Sequence, residues 1–106
     1  MGLDTTFLAL ADPTRRAILA RLATGETTVM ELARPFAISQ PAISRHLKVL
    51  EGAGLIERRI DGSRRPCRLT TQALDGIEGW LAELRRALAA NYDRLDTLLE
   101  TLPSKH

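Results

Sequence analysis

The segment of residues 28–53 constrains the fold of this chain more than any other part of the sequence. Thr28 is followed three residues later by Glu31, which is the capping-box spacing that opens a helix. Ser39 is suited to cap another helix, and Pro41 falls within its first turn, where proline is tolerated. The segment is therefore predicted to form a short helix, a corner and a second helix.

The second helix of this pair is predicted to bury one face and expose the other. Ile43, Leu47 and Leu50 lie within about 40° of one another when successive residues are ~100° apart on the helix. They form an apolar stripe for the core. The opposite face carries Pro41, Ser44, Arg45 and Lys48, with Gln40 on the flank of the first turn.

An arginine-rich hairpin is predicted to follow. Residues 55–60 and 64–70 are β-prone runs, and residues 61–63, Asp-Gly-Ser, are typical of a tight turn between strands. Pro66 has no N–H to donate, so its strand is expected at a sheet edge. A helix pair followed by such a hairpin is the order of a winged helix-turn-helix, a module that lays one helix in the DNA major groove.

Helices are predicted on both sides of this unit. Leu3, Phe7 and Leu10 have the spacing of an amphipathic helix, and Asp12 followed by Pro13 opens a second. The predicted fold is mostly α with a β-hairpin wing: four helices, two strands and a last helix in one domain of residues 1–106. From residue 71 a seam with one polar member runs through Leu74, Ile77, Leu81, Leu84, Leu88, Asn91, Leu95, Leu98 and Leu102.

The helix of residues 71–102 is predicted to form a homodimer. A seam this long is coiled-coil-like, and left exposed it would be the kind of apolar patch that usually marks an interface. An alternative is that the helix folds back on its own domain. Asn91 either fixes the register by pairing with its copy or lies beside the interface without a role. The predicted interface residues are Leu3, Phe7, Leu81, Leu84, Leu88, Asn91, Leu95 and Leu98.

The charge distribution favours a nucleic-acid partner. The chain has a net charge of +2, but residues 39–70 carry +4 and the remainder carries −2. Positive charge is thus concentrated on the segment proposed to meet phosphates. Arg58, Arg59 and Arg68 alternate along the strands, so some of them must face away. Arg15 and Arg16 either touch phosphate or pair internally with Asp12 or Glu51.

These motifs resemble the ArsR family of bacterial winged-helix repressors, especially its metal-independent members. The resemblance covers about residues 8–74 and rests on residues 10–19, 31–33, 39–56 and 64–70. It implies a dimer that binds an operator of two-fold pseudo-symmetry and blocks transcription. Metal sensors of the family carry a Cys-x-Cys-type motif and Asp/His ligands, but residues 29–36 contain no cysteine and residues 71–104 no histidine. No metal and no other cofactor is therefore expected.

Similarity to the family makes Gln40, Ser44 and Arg45 the best candidates for operator contacts. Glutamine can pair with adenine and arginine with guanine, while the ring of Pro41 is placed to touch a thymine methyl. His46 lies about 60° from the buried stripe and is expected to pack between helices rather than contact DNA. The complete predicted DNA-binding set is Ser39, Gln40, Pro41, Ser44, Arg45, Lys48, Arg64 and Arg65.

Other function classes find less support in the sequence. His46 and His106 are the only histidines, and no nucleophile triad, carboxylate pair or phosphate loop is visible, so an enzyme is not expected. Cys67 is predicted to be a small buried hydrophobe, with a thiol sensor as the alternative. A repressor responding to an unidentified inducer and a protein-interaction module are further alternatives. The single cysteine and the absence of a signal-peptide pattern or apolar membrane span suggest the cytoplasm.

Overall fold

The computed structural model describes residues 2–101 of the chain, in five helices and three strands. Leu102, at the end of the predicted seam, and His106 lie outside the described residues. The chain divides into two compact units, the first ending at Gly76 and the second beginning at Ile77. In chain order the elements are α1 (Leu3–Leu10), α2 (Pro13–Leu22), β1 (Thr27–Thr28), α3 (Val29–Ala33), α4 (Gln40–Gly52), β2 (Ile56–Arg58), β3 (Pro66–Leu69) and α5 (Gln72–Thr101).

Side-chain caps begin three of the helices at the predicted residues. The Asp12 carboxylate accepts from the Arg15 N–H at 3.0 Å, and the Ser39 hydroxyl accepts from the Ala42 N–H at 3.3 Å. Each cap satisfies a backbone donor that the first turn leaves without an intrahelical partner. Thr28 accepts from the Glu31 N–H at 3.4 Å, but the Glu31 carboxylate accepts from the Thr27 hydroxyl at 3.1 Å.

The sheet has three antiparallel strands in the order β1-β3-β2, rather than the two predicted. The strand missed from the sequence, β1, has only two residues, Thr27 and Thr28, which pair with Cys67 and Pro66. The prediction that the strand of Pro66 lies at an edge is wrong, because β3 is the central strand. Pro66 is tolerated there because it is the first residue of β3, and its carbonyl still accepts from the Arg59 N–H at 3.1 Å.

The predicted apolar stripe of α4 forms the centre of the core. Ile43, Leu47 and Leu50 are fully buried, as expected for the inward face of an amphipathic helix. Gly54, just beyond the helix, has a φ of 75°, a left-handed conformation that glycine adopts readily. The remaining core side chains come from α1, α2, α3, β2, β3 and the connection between α4 and β2: Ala9, Ile18, Leu22, Leu32, Ala53, Leu55, Ile56 and Cys67.

The second unit consists of the greater part of α5, a helix of 30 residues in all. Its apolar seam is exposed from Leu81 onward along the described length, with Leu81 40% and Leu88 51% accessible, whereas Ile77 is half-buried. None of the described helices combines the length and apolar character that crossing a membrane requires.

Candidate nucleic-acid interface

The outer face of α4 carries the predicted base-reading side chains. Gln40, Pro41 and Ser44 are exposed in its first two turns, and Arg45 and Lys48 are exposed further along. This outward face follows directly from burial of the opposite stripe, since a helix has only one orientation that buries all three of its apolar anchors. Ser39, also exposed, caps the helix and keeps its first turn regular.

An open groove of about 960 Å³ lies between α3, α4 and the hairpin. It brings Gln40, Pro41 and Ser44 of α4 together with Arg64 and Arg65 beside the hairpin turn. Residues that are distant in the sequence therefore share one concave surface, whose lining also includes Glu31, Glu51 and the apolar Met30 and Ile60. Ser39, Arg45 and Lys48 do not line the groove; they are exposed beside it.

The hairpin turn has a geometry that holds Arg64 and Arg65 outward. Asp61 and Arg64 exchange backbone hydrogen bonds of 3.1 and 3.0 Å, which closes a two-residue loop. Gly62, the first loop residue, has a φ of 63°, a conformation that favours glycine. The guanidinium of Arg65 donates to the carbonyls of Gly62 and Arg64 at 3.2 and 3.0 Å.

Three of the hairpin arginines are neutralised by carboxylates. Each pair joins a guanidinium nitrogen to a glutamate oxygen: Arg58 to Glu51 at 2.9 Å, Arg59 to Glu26 at 2.6 Å, and Arg68 to Glu57 at 2.6 Å. These pairs are partly or largely exposed, so each contributes little to stability, but each cancels a positive charge at the surface. Of these three arginines, Arg58 and Arg59 line the groove, whereas Arg68 does not.

Other positive charges within residues 2–101 have no such partner, and three of them, Arg34, Arg64 and Arg65, line the groove together with the paired Arg58 and Arg59. Among the described residues, no carboxylate comes within salt-bridge distance of Arg34, Arg45, Lys48, Arg64 or Arg65. Sequence reasoning missed Arg34, an exposed residue that ends α3 and lines the groove. The charge count for residues 39–70 could not include it, because it enters the groove only through the packing of α3 beside α4.

Arg15 and Arg16 take a role that neither sequence alternative anticipated. Arg15 donates to the carbonyls of Ala9 and Leu8 at 2.7 and 2.9 Å, and Arg16 donates to that of Leu10 at 2.7 Å. Both side chains therefore cap the carboxyl end of α1, where backbone carbonyls lack intrahelical partners. His46 packs between helices as predicted, with its Nδ1 3.4 Å from a guanidinium nitrogen of Arg15.

Cys67 is fully buried in the core, which confirms the prediction of a small buried hydrophobe. Burial raises the pKa of the thiol, an effect opposed by the positive charge of nearby Arg58. The Sγ faces the Arg65 carbonyl at 3.8 Å. A thiol sensor needs an accessible thiolate, so this environment disfavours the sensor alternative.

The residues predicted to form a dimer interface are mostly exposed. Phe7 on α1 is 38% accessible, while Leu3 is half-buried. On α5, in the second unit, the exposed members of the predicted set are Leu81, Leu84, Leu88, Asn91, Leu95 and Leu98.

No metal centre can be built from the side chains that the structure describes. Across residues 2–101, no three histidine, cysteine, aspartate or glutamate side chains gather closely enough to hold an ion. Cys67 is the sole cysteine of the chain, and its sulfur is enclosed by the core.

Known proteins that resemble this chain are transcriptional regulators. Residues 10–59 match the family model of a helix-turn-helix domain. The HTH-type transcriptional regulator Rv2034 of Mycobacterium tuberculosis is 51% identical over 74 residues, covering 70% of this chain and 69% of that protein. The transcriptional repressor SdpR of Bacillus subtilis is 37% identical over 79 residues, covering 74% of this chain and 88% of the repressor. The crystal structure of an ArsR family transcriptional regulator matches with a TM-score of 0.79 and 41% identity, covering 82% of this chain and 90% of that one.

Proposed function

The chain belongs to the ArsR family of DNA-binding transcriptional regulators, and we propose that it is a repressor that binds a palindromic operator as a homodimer. Such an operator would present half-sites about one helical turn, ~10 bp, apart. The family and the relatives are regulators rather than enzymes.

One observation carries the proposal: the groove combines exposed polar side chains of α4 with arginines beside the hairpin turn. Gln40 and Ser44 offer hydrogen bonds to base edges, while Arg64 and Arg65 offer charge to the backbone. A helix placed in the major groove with a hairpin alongside uses both kinds of contact at once. Protein–DNA interfaces need this division, because phosphate contacts position a protein and base contacts specify the sequence.

The roles on α4 follow from side-chain chemistry. Arg45 is assigned to the O6/N7 edge of a guanine, since its guanidinium can donate two parallel hydrogen bonds there. Gln40 is assigned to an adenine by the same bidentate logic. Lys48, a point charge on a flexible stem near the end of the helix, is assigned to a phosphate.

The homodimer is supported by the exposed seam of α5. Leu84, Leu88 and Leu95 are each about half accessible, and with Asn91 they follow three- to four-residue spacing. Through residue 101, the second unit contains no helix other than α5. Burying such a seam against a copy would remove apolar surface from water, at about 25 cal/mol per Å². A pair of chains would present two copies of α4, as a palindromic operator requires.

Operator affinity of an Arg45→Ala variant tests the assignment of α4. The probe is a duplex selected from random DNA by the purified full-length chain, and binding is followed by fluorescence anisotropy. Loss of a bidentate base contact should weaken binding by about 1–3 kcal/mol and relax the preference at one position of each half-site.

Arg68→Ala is the matched control, because it removes the same charge at an arginine already paired with Glu57. It should change the affinity much less than Arg45→Ala. Equal effects of the two substitutions would mean that net charge alone drives binding, and the assignment of α4 would fail.

A further inference from the structure

We propose that Arg15 and His46 form a tie that fixes the orientation of α4, so that operator selectivity depends on a contact away from the DNA-facing side chains. The inference rests on the proposed placement of α4 in the major groove. Within it, His46 and Arg15 are positioning residues that act through Arg45 and its neighbours.

The guanidinium of Arg15 is anchored on one side and reaches α4 on the other. Its Nε and one terminal nitrogen donate to the carbonyls of Ala9 and Leu8 at 2.7 and 2.9 Å, at the carboxyl end of α1. The second terminal nitrogen lies 3.4 Å from Nδ1 of His46. Because a guanidinium only donates, this contact is a hydrogen bond when Nδ1 accepts, which assigns the proton of a neutral ring to Nε2.

Asp12 completes the cluster from the start of α2. Its carboxylate accepts from the backbone N–H of Arg15 at 3.0 Å and lies 4.0 Å from Nδ1 of His46. The end of α1, the first turn of α2 and the middle of α4 therefore meet around one imidazole. Its side chain is only 22% accessible, so the contact is shielded from competing water.

Because of the position of His46, breaking the tie would also move the side chains proposed to contact the bases. His46 directly follows Arg45, so a rotation of α4 that breaks the tie also moves the proposed guanine-reading side chain. At a radius of about 5 Å, a rotation of roughly 10° displaces a side chain by about 1 Å. That displacement takes a base hydrogen bond out of its range of about 2.7–3.2 Å, whereas flexible phosphate contacts can follow it. Loss of the tie should therefore reduce selectivity more than general DNA affinity.

Arg16 offers a matched control on the same turn of α2. It donates to the Leu10 carbonyl at 2.7 Å, so it also caps α1. Among the described residues, its hydrogen bonds do not extend to α4. A substitution at Arg16 thus removes a cap on α1 without removing the tie.

The test compares full-length His46→Leu, His46→Asn and Arg16→Gln on two probes: the duplex selected by the wild-type chain and a scrambled duplex of equal composition. His46→Leu should weaken binding to the selected duplex roughly three- to tenfold, as expected for one ordinary hydrogen bond, and leave binding to the scrambled duplex unchanged. His46→Asn should recover most of that loss, because its Oδ1 can accept near the position of Nδ1. Arg16→Gln should lower Tm without changing the ratio of the two affinities.

Three results would overturn the tie: an equal loss on both duplexes for His46→Leu, no recovery in His46→Asn, or the same loss of selectivity in Arg16→Gln. If His46→Leu does not fold, Arg15→Lys replaces it, since one ammonium cannot hold both α1 carbonyls and the imidazole in the fork geometry. The comparison with Arg45→Ala separates the two proposals. If Arg45→Ala binds the selected duplex as tightly as the wild type, the placement of α4 in the major groove is wrong. If Arg45→Ala binds more weakly but His46→Leu keeps the wild-type ratio of the two affinities, only the tie is wrong.

Discussion

The arginines of the hairpin and of the groove beside α4 differ in whether a carboxylate lies next to them. Arg58, Arg59 and Arg68 each face a glutamate, whereas Arg34 and Arg64 have no carboxylate within salt-bridge distance in the described chain. A phosphate approaching the first group competes with an existing ion pair, but one approaching the second group does not. The charge available for counterion release is therefore smaller than the arginine content suggests.

Arg34→Ala tests whether the end of α3 contacts the DNA backbone. If Arg34 binds a phosphate, its loss should weaken binding to all duplexes alike and make the plot of log K against log salt shallower by about 0.9 for each bound chain. Anisotropy titrations over a range of salt concentrations measure this slope. Arg59→Ala, which removes an arginine already paired with Glu26, should leave the slope nearly unchanged. Equal slopes for Arg34→Ala and the wild type would exclude the contact.

Cys67 should react slowly with alkylating reagents in the folded protein. Burial raises the pKa of the thiol, so less thiolate is present at a given pH, and the sulfur is also sealed from reagent. Mass spectrometry should show alkylation by iodoacetamide at least about tenfold slower in the native chain than in denaturant. Rapid native alkylation would instead restore a thiol-responsive repressor as a candidate.

Among the secondary-structure elements, those specified by local signals were the ones predicted from the sequence. Asp12, Ser39 and Thr28 cap helices because their partners lie three residues away, and the buried stripe of α4 follows from its own periodicity. Strand β1 could not be predicted, because two threonines become a strand only when β3 lies beside them. Because β1 was not predicted, the strand of Pro66 was expected to lie at an edge of the sheet. For the candidate site, the sequence predicted which side chains lie on the outer face of α4. It could not predict the pairing of hairpin arginines with Glu26 and Glu51, because that pairing depends on the tertiary fold.

The cap of α2 should give the fold a specific acid dependence. The backbone N–H of Arg15 donates to the Asp12 carboxylate and holds its pKa below the usual 3.8. A pKa lower in the folded than in the unfolded chain contributes stability that is full above the unfolded value and is lost as the pH falls through the folded value. Asp12→Asn keeps a capping oxygen but cannot titrate. Its Tm deficit relative to the wild type should therefore shrink between about pH 7 and about pH 3.

Circular dichroism melting at both pH values measures this change. Ser39→Ala is the control, because it removes the cap of α4 without removing a titrating group. It should cost about 1 kcal/mol, with no pH dependence of its own. If the difference in Tm between Asp12→Asn and the wild type is the same at both pH values, the charge of the Asp12 carboxylate does not contribute to the stability of the cap.

On the scale of the whole molecule, the proposed repressor depends on both the exposed seam of α5 and the polar face of α4 in the first unit. A regulator built this way needs two copies, since one chain offers only a single α4 to a two-fold operator. The exposed leucines of α5 and the polar face of α4 are thus complementary parts of one proposal. Either could exist without the other, so each needs its own measurement.

Leu88→Glu tests the seam. A glutamate at a half-accessible position is tolerated in a monomer but would be desolvated and face its own copy in a dimer. Sedimentation equilibrium should show dimers for the wild type and a shift towards single chains for Leu88→Glu. Glu83→Gln, an exposed change on the same helix, should leave the distribution unchanged. Single chains of wild type at micromolar concentration would exclude the homodimer.

Hydroxyl-radical footprinting of the full-length chain on its selected duplex tests the central claim most directly. The account predicts two protected patches related by the symmetry of the sequence and centred about one helical turn apart, ~10 bp. It also predicts that Arg45→Ala changes the selected base at matching positions of both half-sites. A single protected patch, or a selected sequence without internal symmetry, would contradict the paired placement of α4.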